Sequence, residues 1–593
     1  MIVRDLLREL KYYDNNDLII EEQKSDDPKI DKLLKTASKK GNGRGYPEYI
    51  IRSKSHSNFI IIIECKADIK KHESKNRMDY ANFAVDGAIL YASYLKSSFD
   101  VIAIGISGQN QSELKISHFL YLQNSPDYTE VFGDDILSFK NYYDNIQKSP
   151  QKFNQNYSKL LKYSEEINSK LHAKKVKESE RSLLISGILI ALQNQAFRSS
   201  YKSHKKAQDL TNNIIHTITY ELTSSDVPED KIKNLKSSFA FIETHTVLSR
   251  DKIFLEELIE DIDDNINQFM KTHQYFDTLG QFYIEFLKYA NNDGGLGIVL
   301  TPPHITDLFA EIASVNKDSV VLDSCCGTGG FLVSAMKIMV ENAKGNNEKI
   351  HEITHNQIIG IEFQSSIYAL AISNMIIHND GKSNIILGDC FNEVHNVKSK
   401  YRPDIGLLNP PYKANKNDTE ELEYVLNNLE MLEKGGTCVA IIPISSVLAQ
   451  NGTRLELKKK ILDKHTLEAV MSMPSELFHN SKKTVVTATI VITAHQPHPK
   501  DKKTWFGYWR DDGFKITKKG RLDIHDKWDL IKREWIKSWR NREVDPTKSI
   551  MKEVTANDEW CVEAYMETDY STIKKEDFEE TLKKYVAFNI INR

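Results

Sequence analysis

Val320-Val321-Leu322-Asp323-Ser324-Cys325-Cys326-Gly327-Thr328-Gly329-Gly330-Phe331 is a short apolar run closed by an acid, then a turn of small residues and glycine, opening into an apolar stretch from Leu332. Strand, glycine turn and helix in that order make the nucleotide-binding corner of a doubly wound sheet. The turn lacks the G-x-G-x-x-G spacing of a dinucleotide site, which favours a ligand without a pyrophosphate. About one helix downstream, Ile358-Ile359-Gly360-Ile361 reads as a second strand ending in Glu362. An acid at that strand end is where a ribose hydroxyl pair is held. A third strand, Ile385-Ile386-Leu387, leads to Gly388-Asp389-Cys390, whose carboxylate suits the amino group of a base.

A fourth apolar run, Ile405-Gly406-Leu407-Leu408, ends in Asn409-Pro410-Pro411-Tyr412. Proline donates no backbone hydrogen bond and holds the chain extended past the sheet edge. A carbonyl ahead of a proline, the Asn409 carboxamide oxygen and an aromatic face together suit a planar ring with an exocyclic amino group. An adenine flipped out of a duplex is such a ring. The alternative is a proline-rich turn with a tyrosine lid.

The Asp323–Phe331 turn with Asn409-Pro410-Pro411-Tyr412 resembles the amino-methyltransferases that act on DNA with S-adenosylmethionine. Thr301-Pro302-Pro303-His304-Ile305 resembles that family's additional cofactor motif, and the motif order is the gamma order of type I modification subunits. The resemblance implies a cofactor site at Thr301, Asp323, Cys325, Gly327, Gly329, Phe331, Glu362, Asp389 and Asn409, and catalysis by Asn409, Pro410 and Tyr412. Cytosine N4 would use the same pocket chemistry; Tyr412 and the resemblance favour adenine N6. Met473-Pro474-Ser475-Glu476-Leu477-Phe478 resembles the closing motif around the target base.

A second chemical signature stands near the start. A segment with Glu21 and Glu22, read as helical, precedes the glycine turn Gly41-Asn42-Gly43-Arg44-Gly45. Tyr46-Pro47-Glu48-Tyr49-Ile50-Ile51 reads as one strand and Asn58-Phe59-Ile60-Ile61-Ile62-Ile63 as the next, ending in Glu64-Cys65-Lys66. Hairpin pairing brings Glu48 and Glu64 to one rim. Two carboxylates with a lysine suit a hard, oxygen-ligated cation such as Mg2+ and the positioning of an attacking water. A helix over 78–95 and a strand over 101–107 complete a small αβ unit. This unit resembles the PD-(D/E)xK nucleases, with Glu48 in place of the commoner aspartate. That implies Glu48, Glu64 and the Cys65 carbonyl as metal ligands and Lys66 as the catalytic lysine, with Glu21 or Glu22 as a further candidate ligand. A salt bridge between Glu64 and Lys66 on an edge strand is the alternative.

The chain has 593 residues, net charge −4, 40% hydrophobic and 27% charged residues, an ordinary composition for a multidomain α/β protein. No apolar run approaches the ~20 residues needed to span a membrane, and the expected location is the cytoplasm. The six cysteines show no zinc spacing and read as reduced packing residues. The expected divisions are a nuclease-like domain at 1–150, a helical connector at 151–290 with a turn at Asp226-Val227-Pro228, a Rossmann-like methyltransferase domain at 291–500 entered through Gly294-Gly295, and a short tail at 501–593. In the tail, Trp505 and Trp509 share a strand face and read as core packing, and Phe578, Leu582 and Tyr585 lie on one helical side. Basic runs at Lys170, Lys174, Lys175, Lys177 and Arg181, at Lys202, Lys205 and Lys206, and at Lys518, Lys519 and Arg521 are candidate DNA contacts or solvated faces.

No large target-recognition region is visible. The whole pattern therefore resembles the combined restriction–modification subunit of type IIB-like systems. Its implied partners are double-stranded DNA and a separate specificity subunit in a hetero-oligomer, with no membrane. The rival readings are a methyltransferase whose nuclease-like unit is inactive, and a structural role in an assembly.

Overall fold

The computed structural model describes residues 2–591 except 40, 42, 111–112, 134, 148, 226, 274–275, 288–299, 379–383, 479–484, 518–519 and 568–573. Asn42, Asp226, Gly294, Gly295, Lys518 and Lys519 lie outside the described residues. Contacts divide the chain into Met1–Gln155 and Asn156–Arg593.

Six strands form the sheet of the first unit in chain order. They are β1 (Leu18–Glu21), β2 (Tyr49–Ser53), β3 (Phe59–Lys66), β4 (Asp100–Ser107), β5 (Lys115–Tyr121) and β6 (Thr129–Val131). Only β3 and β4 run parallel. The isoleucine run of β3 is apolar at every position because both faces are covered. Phe59, Ile61 and Ile63 enter a core with Leu7 and Tyr142, while Ile60 and Ile62 meet Val85, Ala88 and Tyr91 of the helix Ala84–Leu95. β3 is thus a central strand, not an edge. The segment leading to Glu21, expected helical, is strand β1, because the apolar run Leu18-Ile19-Ile20, with two β-branched isoleucines, pairs with β2. The helix lies earlier, at Ile2–Glu9, and the expected helix at 78–95 starts only at Ala84.

The second unit begins with helices. Among the described residues of 156–287 no strand occurs, as the periodicity predicts. Leu255, Leu258, Ile259 and Ile262 of Lys252–Ile262 are buried, whereas Ile253 is 70% exposed. The strands that follow are β7 (Val321–Asp323), β8 (Ile358–Glu362), β9 (Asn384–Leu387), β10 (Ile405–Leu408), β11 (Thr437–Pro443), β12 (Thr466–Ser472), β13 (Thr487–Thr493), β14 (Lys503–Tyr508), the hairpin β15 (Lys515–Thr517) and β16 (Gly520–Leu522), and β17 (Ser549–Glu553). Nine of them form one sheet in the order β17-β14-β12-β13-β11-β10-β7-β8-β9. β7 has β8 on one side and β10 on the other, both parallel to it. The chain thus leaves β7 towards one edge and returns to its other side, and a crevice opens at the carboxyl ends of β7 and β10.

Two expected boundaries do not divide the structure. The helical region belongs to the same unit as the large sheet. The segment after 500 is not a tail: β14 pairs with β12 in parallel and β17 pairs with β14. The cause is aromatic. Trp505, Phe506 and Trp560 are fully buried, and Trp509 stacks on Trp535 with ring centroids 4.8 Å apart, so this strand needs cover on both faces. The helix Trp528–Asn541 then reaches back, with Lys532 paired to Glu311 at 2.6 Å and the Trp539 indole donating to the Ile312 carbonyl at 3.3 Å. Only the terminal helix Lys575–Ile591 leaves Phe578, Leu582 and Tyr585 exposed.

Replacing Trp505 by alanine removes a fully buried indole from the sheet, and the expected cost is about 3–5 kcal/mol. Urea denaturation of the full chain followed by tryptophan fluorescence reads this. A loss under about 1 kcal/mol would restore the tail as an independent appendage.

Candidate active site

The crevice at the switch point is a cavity of about 390 Å³. β7 delivers Asp323, and the glycine turn follows with Gly327 at φ +53° and Gly329 at φ +89°, left-handed conformations that favour glycine. Gly329 caps the helix Gly330–Asn342 and lets the turn fold back under the cavity. β8 delivers Glu362, whose two oxygens accept the Gln364 and Gly327 amides at 2.7 and 3.1 Å. β9 leads to Asp389, which accepts the Phe391 amide at 3.0 Å. β10 leads to Asn409, whose side-chain amide donates to Thr301 Oγ1 at 2.9 Å.

Of the residues expected around the cofactor, Thr301, Asp323, Cys325, Gly327, Phe331, Glu362, Asp389 and Asn409 all line this one cavity; Gly329 supports the turn without lining it. Pro410 lines it as well. Tyr412 does not; its ring meets Phe478 edge-on, with centroids 6.1 Å apart and planes at 90°. The sequence-distant closing motif is thereby brought to the Asn409–Tyr412 segment. The Tyr412 hydroxyl is buried without a hydrogen-bond partner, and burial drives its acidity far down. The loop after it is held by buried Glu421, which accepts the Lys413 amide at 2.8 Å and the Ser446 hydroxyl at 2.9 Å.

The electrostatics of the cavity are one-sided. Asp277, Asp323, Glu362 and Asp389 line it, and among the described lining residues there is no lysine, arginine or histidine. Burial pushes the Asp323 carboxyl up to about 8 and also raises Asp277 and Glu362 above the ordinary carboxylate range. Sequence reasoning assigned no role to Asp277, Phe363, Phe391 or Tyr424. Phe363 is 74% exposed beside Glu362, and Phe391 packs on Tyr424 at 5.1 Å. An aromatic directly after a strand-ending acid was the available signal.

His304 ties the Thr301–Pro303 segment to the C-terminal strands. It stacks on Phe514 at 3.9 Å and pairs with Asp512 at 3.0 Å, and burial lowers its basicity.

In the first unit the register places Tyr49, the first residue of β2, opposite Ile63; Glu48 stands just ahead of that ladder and Glu64 one position past it, close enough for Glu48 to act on the Glu64 carboxyl. Glu48 is exposed and Glu64 fully buried. Burial raises the Glu64 carboxyl above its usual range against the pull of Lys39, whose ammonium lies 2.5 Å from Glu64 Oε2; Glu48 adds to the rise. Glu64 Oε1 is buried with no hydrogen-bond partner. Lys66 does not pair with Glu64: its ammonium donates to the Ala81 carbonyl at 2.9 Å. The Cys65 side chain packs on the opposite face, which leaves only its carbonyl for the acidic rim. Glu21 is bound by Arg52 at 3.2 Å and Glu22 by Arg4 at 2.6 Å. Among the described residues no three His, Cys, Asp or Glu side chains converge as a metal cluster.

The basic runs are largely neutralised. Lys170, Lys174, Lys177 and Lys202 pair with Asp261, Asp251, Glu180 and Glu260 at 2.5, 2.7, 3.5 and 3.0 Å. Arg181 is buried and Arg521 pairs with Asp512. The four paired lysines are at least partly solvated, whereas buried Arg181 is not a solvated face. All six cysteines are free thiols. No described helix is long and apolar enough to cross a membrane.

Comparison with known proteins agrees with this geometry. The N-6 DNA Methylase family profile matches residues 274–592. The type II restriction enzyme and methyltransferase RM.BcgI of Heyndrickxia coagulans is 32% identical, over 96% of this chain and 93% of its own length. The MpnII methylase subunit of a type I restriction enzyme from Mycoplasma pneumoniae is 30% identical, over 40% of this chain and 48% of its own. A chain solved in a study of type I restriction–modification assembly shares the fold, with a TM-score of 0.50 at 18% identity, covering 71% of this chain and 93% of that one. With the acidic crevice, the glycine turn and the Asn409–Tyr412 segment in one unit, this chain belongs to the N-6 DNA methylase family, DNA adenine methyltransferases whose methyl donor is S-adenosylmethionine.

Proposed function

We propose that this chain is a combined restriction–modification subunit. It methylates adenine N6 in its site, cleaves DNA left unmethylated through a Mg2+-dependent nuclease in the first unit, and takes its target sequence from a separate specificity subunit. The observation that carries the methyltransferase half is the cavity with four carboxylates and, among its described lining residues, no cation. Such a cavity repels phosphates and suits a nucleoside cofactor with positive charge. Bound there, S-adenosylmethionine supplies an electrophilic methyl group. Glu362 would hold the ribose and Asp389 the adenine amino group; both line the cavity, as do the exposed Phe363 and Phe391. Asn409 and the Pro410 carbonyl accept from the target N6 amino group, and Tyr412 and Phe478 offer it two aromatic surfaces. Positioning and charge stabilisation account for the catalysis, with no covalent enzyme intermediate.

The nuclease half is supported by Glu48 standing close to Glu64 and by the buried, unpartnered Glu64 Oε1, a donor set that suits a hard cation. Glu48, Glu64 and the Cys65 carbonyl would hold the metal. The relative RM.BcgI, described as both restriction enzyme and methyltransferase, aligns across this unit too. The exposed Phe578, Leu582 and Tyr585 stripe is the face we assign to the specificity subunit. A second reading, with an inactive first unit, has two observations in its favour: Lys39 already pairs with Glu64, and Lys66 is engaged by the Ala81 carbonyl.

Complexes purified from the host through a tag on this chain, given unmethylated DNA, Mg2+ and S-adenosylmethionine, test both halves. Asn409→Ala should reduce methylation ~100-fold or more while leaving cofactor affinity within a few-fold. Glu64→Ala should abolish cleavage and spare methylation; wild-type complexes that methylate without cutting would decide for the second reading.

The raised carboxyls also predict a pH dependence. In the folded protein Asp323 holds its proton up to about pH 8, whereas in the unfolded chain it loses it near 3.8. The folded state therefore binds more protons in that window, and the stability this group contributes falls as pH rises from about 4 to 8. A cationic ligand favours the ionised form, so cofactor binding should release protons. Its affinity should rise with pH by up to about tenfold per unit below about 8 and level off above. Calorimetry in buffers of differing ionisation heat reads the proton count; an affinity flat from pH 6 to 8 would contradict the assignment.

A further inference from the structure

One wall of the cavity is built on a carboxylate from outside the sheet. Asp277 precedes the helix Thr278–Leu287, and its Oδ1 accepts the Gly280 amide at 2.8 Å and the Asn374 side-chain amide at 2.8 Å. Its Oδ2 accepts the Thr328 hydroxyl at 3.0 Å, at the tip of the glycine turn. Asn374 also donates to the Thr328 carbonyl at 3.0 Å, closing the ring of contacts. A Cβ at position 280 would stand 2.2 Å from Asp277 Oδ2 and 2.7 Å from Thr328 Oγ1, so glycine there leaves this ring of contacts undisturbed. Each of these partners is neutral, and among the described residues no cation acts on the group.

Capping a helix asks only for an oxygen, and asparagine or serine serves as well. Burial opposes a charge at this site. The neutral acid is therefore favoured until a cation stands beside it, and the described residues supply none. The wall indicates where that charge comes from. Leu300 lies against the turn, 3.3 Å from the Cβ position of Gly327, and its neighbour Thr301 bonds Asn409, the expected acceptor of the target amino group. Asp277, Thr328, Leu300, Thr301 and Asn409 thus line one side of the cavity, while Glu362 and Asp389 hold the strand ends read for ribose and base.

We propose that Asp277 is a positioning residue that holds the glycine turn and, through its charge, selects the positively charged sulfonium form of the cofactor over the neutral thioether left after transfer. The inference rests on the S-adenosylmethionine reading of the cavity. It gives the enzyme a means of favouring substrate over product at the same site: the charge on sulfur disappears when the methyl group leaves, and with it the attraction to Asp277.

Binding of three ligands to the full chain, measured by calorimetry at pH 8.5, tests this. S-Adenosylmethionine has a sulfonium, sinefungin an ammonium at the same place, and S-adenosylhomocysteine a neutral sulfur. Asp277→Asn should weaken the first two about tenfold and the third less than threefold. Equal losses for all three would reduce Asp277 to a structural tie, and no loss would remove its role; either result overturns the proposal. Wild-type protein that binds none of the three would instead overturn the cofactor reading itself, and the proposal with it. Should Asp277→Asn fail to fold by circular dichroism, Thr328→Val keeps the charge and removes one tie. That variant should shift all three affinities by the same factor, and a lost preference for the two cationic ligands would overturn the proposal.

Discussion

Four acids gathered in a partly closed crevice, with no cation among its described lining residues, are the constraint on which the second unit depends. Four carboxylates reach one cavity, and burial raises three of them above their usual range. Left alone, such an arrangement is unfavourable, because desolvated like charges repel and each carboxylate loses its hydration. The fold tolerates it through backbone amides: Asp323 accepts from Cys325 at 3.1 Å, Glu362 from Gly327 and Gln364, and Asp389 from Phe391. Those amides sit at strand ends and in the glycine turn, where the sheet no longer uses them. The doubly wound topology thus supplies both the acids and the donors that make them bearable, and leaves a net charge for a cationic ligand to balance.

Much of this was legible in the sequence because it is local. A strand-ending acid followed by small residues, or a strand ending in Asn409-Pro410-Pro411-Tyr412, carries its chemistry within a few positions, and the parallel order of β7, β8 and β10 then brings the pieces together. Asp277 was not legible as a site residue: it lies 51 positions from Thr328, and only the packing of the helix Thr278–Leu287 closes that separation. Lys39 was missed for the same reason, being 25 positions from Glu64. Periodicity reports which face is buried, not which distant side chain arrives there.

The segment after residue 500 was divided off as a short tail, while its tryptophans read as core packing. The packing reading is the one that holds: Trp505 and Phe506 point to opposite faces and are both fully buried, which requires layers on both sides of the strand. β12 leaves an edge that only this strand covers, and an uncovered edge is a liability for aggregation. Covering it brings Asp512 and Phe514 against His304, so the last strands brace the Thr301 segment at the cavity.

In the first unit the same burial logic acts on a smaller scale. Glu64 is fully buried directly after the apolar run Phe59–Ile63 of β3, and a buried carboxylate persists only with a partner. Lys39 satisfies one oxygen and leaves the other without a hydrogen bond. A packing role would be met by an apolar side chain at this position, with neither the desolvation of two charges nor the orphaned oxygen. That a glutamate stands there, with Glu48 close by and Lys66 two positions on, is the argument for chemistry over architecture in this unit. The half-satisfied carboxylate marks the position where a divalent cation would complete what the lysine leaves undone.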